Sequence, residues 1–141
     1  MEALTAEEGR LAVRLARAVL EEKIGRKHVE YPRLPPVFSE KRGVFVTLKK
    51  EGELRGCIGF PMPVYPLGQA IREAAYAAAM EDPRFSPLQP EELPFIEIEV
   101  TVLSVPVPLV CRAAERPASV RVGTHGLIVR GMGRSGLLLP Q

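Results

Sequence analysis

Six residues, Leu54-Arg55-Gly56-Cys57-Ile58-Gly59, place a thiol two positions from a fixed positive charge. In a regular strand Arg55, Cys57 and Gly59 share one face, while Leu54, Gly56 and Ile58 share the other. Two glycines weaken a strand unless backbone or a ligand comes close there. A guanidinium beside a cysteine favours the thiolate, the form that attacks electrophiles and binds soft ligands. The segment therefore describes a nucleophile or ligand contact, Cys57, next to an anion-binding group, Arg55, with Gly56 and Gly59 admitting the ligand. A free cysteine also packs as a small apolar filler, and the six residues alone leave both readings open.

Other residues could complete such a site. His125 stands in Gly123-Thr124-His125-Gly126 and could act as a base, although nothing in the spacing brings it to Cys57. Glu97 and Glu99 project from one face of a single strand and could pair with Arg55 or Arg84, bind a divalent cation, or work as acid and base; a solvated polar face is the default. Asp82 is the only aspartate in a chain that otherwise uses glutamate. Before Pro83 it suits a helix N-cap with proline at the first helical position. A binding-loop role is its second reading, with Arg84 reaching a carboxylate or phosphate. The cysteines, Cys57 and Cys111, show no metal-ligand spacing, so no zinc site is indicated, and a bridge between them stays open.

The elements that must position these residues follow from periodicity. Thr5 and Glu8 have capping-box spacing, and Leu11, Ala12, Leu15, Ala16 and Val19 recur at helical intervals up to a stop at Gly25. Arg10, Arg14, Arg17 and Glu21 are expected on the opposite, polar side. Prolines 32, 35 and 36 make residues 26–42 an extended connection. Gly43–Leu48 and Leu54–Phe60 read as a hairpin around a polar turn through residues 49–53. Leu67–Met80 is an alanine-rich helix able to sit close to a sheet, and a short turn is expected at Pro90–Leu93. Phe95–Leu103 alternates strictly and predicts a strand buried on one face. Gly126–Arg130 and Gly136–Leu139 bracket a glycine-rich turn as a second hairpin. Helices separated by antiparallel strands define an α+β fold, expected as one domain over residues 1–141.

The hexapeptide at 54–59 resembles the signature of the AMMECR family, named for a human chromosomal region linked to Alport syndrome, midface hypoplasia and elliptocytosis. Glu81-Asp82-Pro83-Arg84-Phe85, Ile98 to Ser104, Gly123 to Ile128 and Gly133 to Gln141 are similar too. The resemblance implies an antiparallel sheet flanked by helices with a smaller packed lobe. It also implies a C-terminal continuation, expected either to be absent from this protein or to follow a fragment ending at Gln141. It fixes no enzymatic activity and no cofactor. Neighbouring Memo-like and radical-SAM proteins in related genomes suggest partners in an RNA or protein modification pathway.

Composition narrows the classes. The net charge of +2 supplies no field that would recruit nucleic acid or an anionic membrane, and no run approaches the roughly 20 apolar residues of a membrane helix. A soluble cytoplasmic protein is expected, and the leading reading is a cleft for a small anionic ligand along Arg55–Gly59. A non-enzymatic protein-interaction adaptor is the alternative. An RNA-binding module is weaker, with five Phe and three Tyr for stacking. The chain has no Asn, three Gln, fourteen Pro, and Arg over Lys by fourteen to five. Such usage favours heat tolerance and a thermophilic source. A thermal midpoint above the about 45–65 °C of mesophile domains is expected, and scanning calorimetry checks it.

Overall fold

The computed structural model describes residues 4–103, 127–131 and 134–138, the last two segments as backbone. The chain divides into two units, Met1–Val105 and Pro106–Gln141. In the first, helix α1 spans Ala6–Lys23. Its start is fixed by a reciprocal pair: Glu8 N–H donates to Thr5 Oγ1 at 3.1 Å, and Thr5 N–H donates to Glu8 Oε1 at 2.9 Å. Past its C-cap at Ile24 the left-handed residue is Arg26, with φ 54°, rather than Gly25.

Strands β1 (Val44–Lys50) and β2 (Glu53–Phe60) form the expected hairpin, but through a tighter turn. Only Glu51 and Gly52 lie outside the strands, both at positive φ, the two-residue geometry whose twist suits flanking strands. Helix α2 spans Leu67–Met80, and β3 spans Ile96–Val102 after a 3-10 turn at Pro90–Phe95. The sheet runs β2-β1-β3, antiparallel throughout. In the second unit, β4 (Leu127–Gly131) and β5 (Arg134–Leu138) pair antiparallel. This is the α+β fold that the sequence predicts, and none of the described helices is long and apolar enough to cross a membrane.

The core of the first unit lies between one sheet face and two helices. Val44, Val46 and Leu48 of β1 are fully buried beneath Leu67, Ile71, Ala74, Ala75 and Ala78 of α2, with Leu15, Ala16 and Leu20 of α1 completing the cluster. Arg17, expected among solvated charges, instead turns inward. Its guanidinium donates to the carbonyls of Leu93, at 3.1 Å, and Ile96, so two main-chain acceptors at the end of the 3-10 turn tie it to α1.

Alanine at Ala74, Ala75 and Ala78 brings α2 down onto β2, and Gly56 takes the closest contact. A Cβ at Gly56 would stand 2.0 Å from the Ala78 carbonyl oxygen. Gly59 faces a similar limit, with a Cβ 2.1 Å from the Val44 carbonyl oxygen and 2.7 Å from the Phe45 ring. The glycines of the signature are thus explained by backbone approach within the fold. Gly56→Ala is expected to destabilise by about 1–3 kcal/mol or more, because backbone must move. Gly9→Ala, with nothing within 4 Å, should hold or raise stability; urea unfolding of both variants checks the contrast.

Candidate functional site

Among the described residues β2 is an edge strand, so every second residue turns its N–H and C=O away from β1. Cys57 is one of these. Its N–H donates to Asp82 Oδ2 at 3.0 Å, and its carbonyl accepts a longer bond from Arg84 Nη2 at 3.4 Å. Asp82 and Arg84 therefore occupy the place where a further strand would pair. Arg84 holds the same carboxylate through Nε at 3.0 Å, Nη2 at 2.7 Å and its backbone N–H at 3.1 Å.

Asp82 sits two residues past α2, but no helix follows it. Residues 82–85 form a turn closed by Phe85 N–H on the Asp82 carbonyl at 3.1 Å. The aspartate caps a strand edge and this turn, which overturns its reading as a helix N-cap. Its side chain is 2% exposed against 55% for Arg84. The Arg84 hydrogen bonds, helped by the Cys57 and Arg84 backbone N–H groups and opposed by burial, hold the carboxyl well below the usual carboxylate range.

Thr47 lies directly opposite Cys57 on β1. A pair whose main-chain groups point outward brings side chains close, and Thr47 Oγ1 stands 3.2 Å from Cys57 Sγ. Thr47 is 4% exposed, and Cys57 is a free, half-buried thiol, so the open question of a Cys57–Cys111 bridge closes on the Cys57 side. Glu99 is the next residue in the same cross-strand row, opposite Thr47. It is two strand spacings from Cys57, about 10 Å, and its carboxylate is 3.0 Å from Lys49 Nζ. Glu97 is exposed opposite Lys49. Neither glutamate comes within hydrogen-bond reach of the thiol. His125 lies outside the described residues.

Arg55 departs from the regular alternation. Leu48 pairs with Gly56 and Lys49 with Leu54, leaving Arg55 as the extra residue of a bulge. Its side chain, 13% exposed, makes a two-point pair with Glu92, Nε to Oε1 and Nη2 to Oε2 both at 3.0 Å, and Lys50 Nζ adds a contact at 3.1 Å. The third nitrogen, Nη1, is buried without a hydrogen-bond partner. The rings and guanidiniums also meet: Arg55 Cζ is 5.9 Å and Arg84 Cζ 5.5 Å from the Phe85 centroid.

Both arginines expected to bind anions are thus already engaged by carboxylates of the protein. The structure joins Cys57, Asp82 and Arg84 through hydrogen bonds, brings Arg55 and Arg84 to the Phe85 ring, and adds Thr47 and Glu92. Thr47 was detectable in the sequence, since Phe45, Thr47 and Lys49 alternate against the buried Val44, Val46 and Leu48. Glu92 carried no comparable signal, because its pairing with Arg55 joins segments 37 positions apart. Among the described residues no group of three or more His, Cys, Asp and Glu could hold a metal ion.

An α+β sheet whose edge strand carries a free thiol under an Asp-Arg clamp is the class that fold and site define. A family model described as AMMECR1 matches residues 13–141, and the chain belongs to that family. A protein of Methanothermobacter thermautotrophicus is 54% identical over 142 residues, which cover 98% of this chain and 73% of the relative. One from Thermococcus gammatolerans is 49% identical over 140 residues, covering 94% and 68%. The crystal structure of an uncharacterised protein from Pyrococcus horikoshii is similar with a TM-score of 0.88 and 45% identity, covering 97% of this chain and 71% of that one. These archaeal relatives fit the heat-tolerant composition.

The Arg55 hydrogen bonds, with smaller help from the Gln89 N–H and Lys50, bring Glu92 from an ordinary 4.5 down to about 2, against the opposing effect of burial. The unfolded chain therefore takes up this proton first. The Glu92 contribution to stability is complete above pH 4.5 and is lost as pH falls toward about 2. Glu92→Gln is expected to flatten the pH dependence in that window and to cost on the order of 2–3 kcal/mol at neutral pH, where Arg55 loses its charge partner. Denaturant melts of both proteins between neutral and acidic pH measure this.

Proposed function

We propose that this AMMECR1-family protein binds a small anionic ligand beside Cys57, with the thiol touching the ligand and Arg84 as its principal anchor. The observation that carries the reading is the state of Arg84. Its guanidinium is fixed by a buried carboxylate, so little side-chain entropy remains to be lost, yet more than half of it is exposed. Beside it stands a free thiol already hydrogen-bonded to Thr47. The buried, unpartnered Nη1 of Arg55 lends support, since such a donor costs about 1–3 kcal/mol until an acceptor oxygen reaches it. Memo-like or radical-SAM partners in a modification pathway are supported by the family resemblance alone. The adaptor reading has its own observation: Met62 and Val64, just past β2, are exposed large apolar residues.

With Cys111 replaced by serine, alkylation of Cys57 by iodoacetamide reads the site directly. Millimolar phosphate or acetate is expected to slow the reaction several-fold in the parent protein, and Arg84→Gln should abolish that protection while the thiol still reacts. A thiol that never reacts, or one whose rate ignores both anions, overturns the ligand reading and favours the adaptor.

A further inference from the structure

The signature strand has a second face. Ile58 and Phe60, which alternate with Cys57 and Gly59, join Val19 of α1 as the apolar floor of a groove of about 670 Å³ between α1, α2 and β2. That volume falls within the range of small-molecule sites. Two tyrosines stand at its rim. Tyr31 is fixed, its hydroxyl donating to Glu22 Oε1 at 2.6 Å, and Tyr76 keeps an exposed ring.

The charges at this rim differ from those around Cys57. Arg55 and Arg84 are matched by carboxylates, but the Arg72 guanidinium makes no hydrogen bond or ion pair with any described residue. Its one contact is the Tyr31 ring, with Cζ 4.6 Å from the centroid. Stacking fixes the plane of a guanidinium without using its donors. The side chains of Glu73 and Glu81, also lining the groove, likewise make no hydrogen bond or ion pair with any described residue. A simple anion would meet Arg72 but be repelled by the glutamates, and a simple cation would meet the reverse. Glu22 and Lys23, which also line the groove, stand 4.0 Å from each other as an ion pair, and a ligand carrying both charges on an apolar body satisfies the three groups that remain.

We infer that the groove is a binding site for a zwitterionic, amino-acid-like ligand with an apolar or aromatic side chain. The ligand carboxylate pairs with the open fork of Arg72, its ammonium lies toward Glu73 and Glu81, and its side chain rests on Val19, Ile58 and Phe60 beside Tyr76. This inference stands apart from the anion site at Cys57, uses none of its residues, and survives the failure of that reading.

The test is a titration of the full chain with L-phenylalanine, followed by amide NMR. Saturable shifts are expected at Ile58, Tyr76 and Ala77. Phenylalaninamide, lacking the carboxylate, and N-acetylphenylalanine, lacking the ammonium, should each bind at least about tenfold more weakly, as loss of a charge-assisted hydrogen bond requires. Arg72→Met should weaken phenylalanine by a similar factor while leaving phenylalaninamide unchanged, and its melting curve should match the parent because Arg72 is exposed. Absence of saturable shifts up to about 10 mM, where a small ligand of useful affinity would register, overturns the inference. Equal affinity for all three compounds, or an Arg72→Met titration identical to the parent, overturns it as well.

Discussion

Among the described residues the N–H and C=O of Cys57 point outward from the edge of the sheet β2-β1-β3, where they must find partners other than a neighbouring strand. The chain answers with one carboxylate and one guanidinium. Asp82 takes the N–H, Arg84 takes the C=O, and each takes the other. An edge so covered does not template pairing. The buried carboxylate pays for its own desolvation through the three Arg84 contacts and the Cys57 N–H. Asp82 is short enough to do this from the turn just after α2; a glutamate would push the guanidinium one methylene further from the Cys57 carbonyl.

That clamp works only if α2 lies as close to β2 as it does, and it lies so close because Gly56 leaves room for the Ala78 carbonyl. The glycine and the aspartate are one constraint seen from two sides. The first sets the height of the helix above the sheet, and the second uses that height to reach the strand edge. The same descent explains the alanine-rich face of α2, where any longer side chain at Ala74, Ala75 or Ala78 would lift the helix and carry Asp82 away from Cys57. Arg55, displaced by the bulge, falls outside this geometry and is held by Glu92 instead.

Much of this was legible in the sequence, and the exceptions have a common cause. The boundaries of α1, α2 and β3 followed from capping residues and from periods of 3.6 and 2, which are local. The hexapeptide and Asp82-Pro83-Arg84 stood out because their residue types are unusual for this chain. What could not be read was who pairs with whom. Arg55 looked like a free guanidinium because Glu92 is distant in sequence, Arg17 looked solvated because its carbonyl partners lie on another element, and Asp82 looked like a helix cap because its Cys57 partner is 25 positions away. Polar pairing between distant segments leaves no period in the sequence.

A strand with period 2 necessarily builds two surfaces from one run of residues, and in β2 they differ in kind. On the side of Cys57, every nearby cation is already matched and the polar groups are held by one another, so the local field is that of oriented dipoles rather than of net charge. On the side of Ile58 and Phe60 the floor is apolar, and the side-chain charges that α2 sets above it, Arg72, Glu73 and Glu81, pair with no described residue. Gly56 belongs to both, because it sets the spacing of α2, which carries Asp82 to one surface and Arg72 and Tyr76 to the other. A change in that spacing would therefore disturb both surfaces at once, whereas side-chain changes at Thr47 or Arg72 act on one alone. Asymmetry between those two classes of substitution follows from the pleat of β2 and from the single helix laid across it.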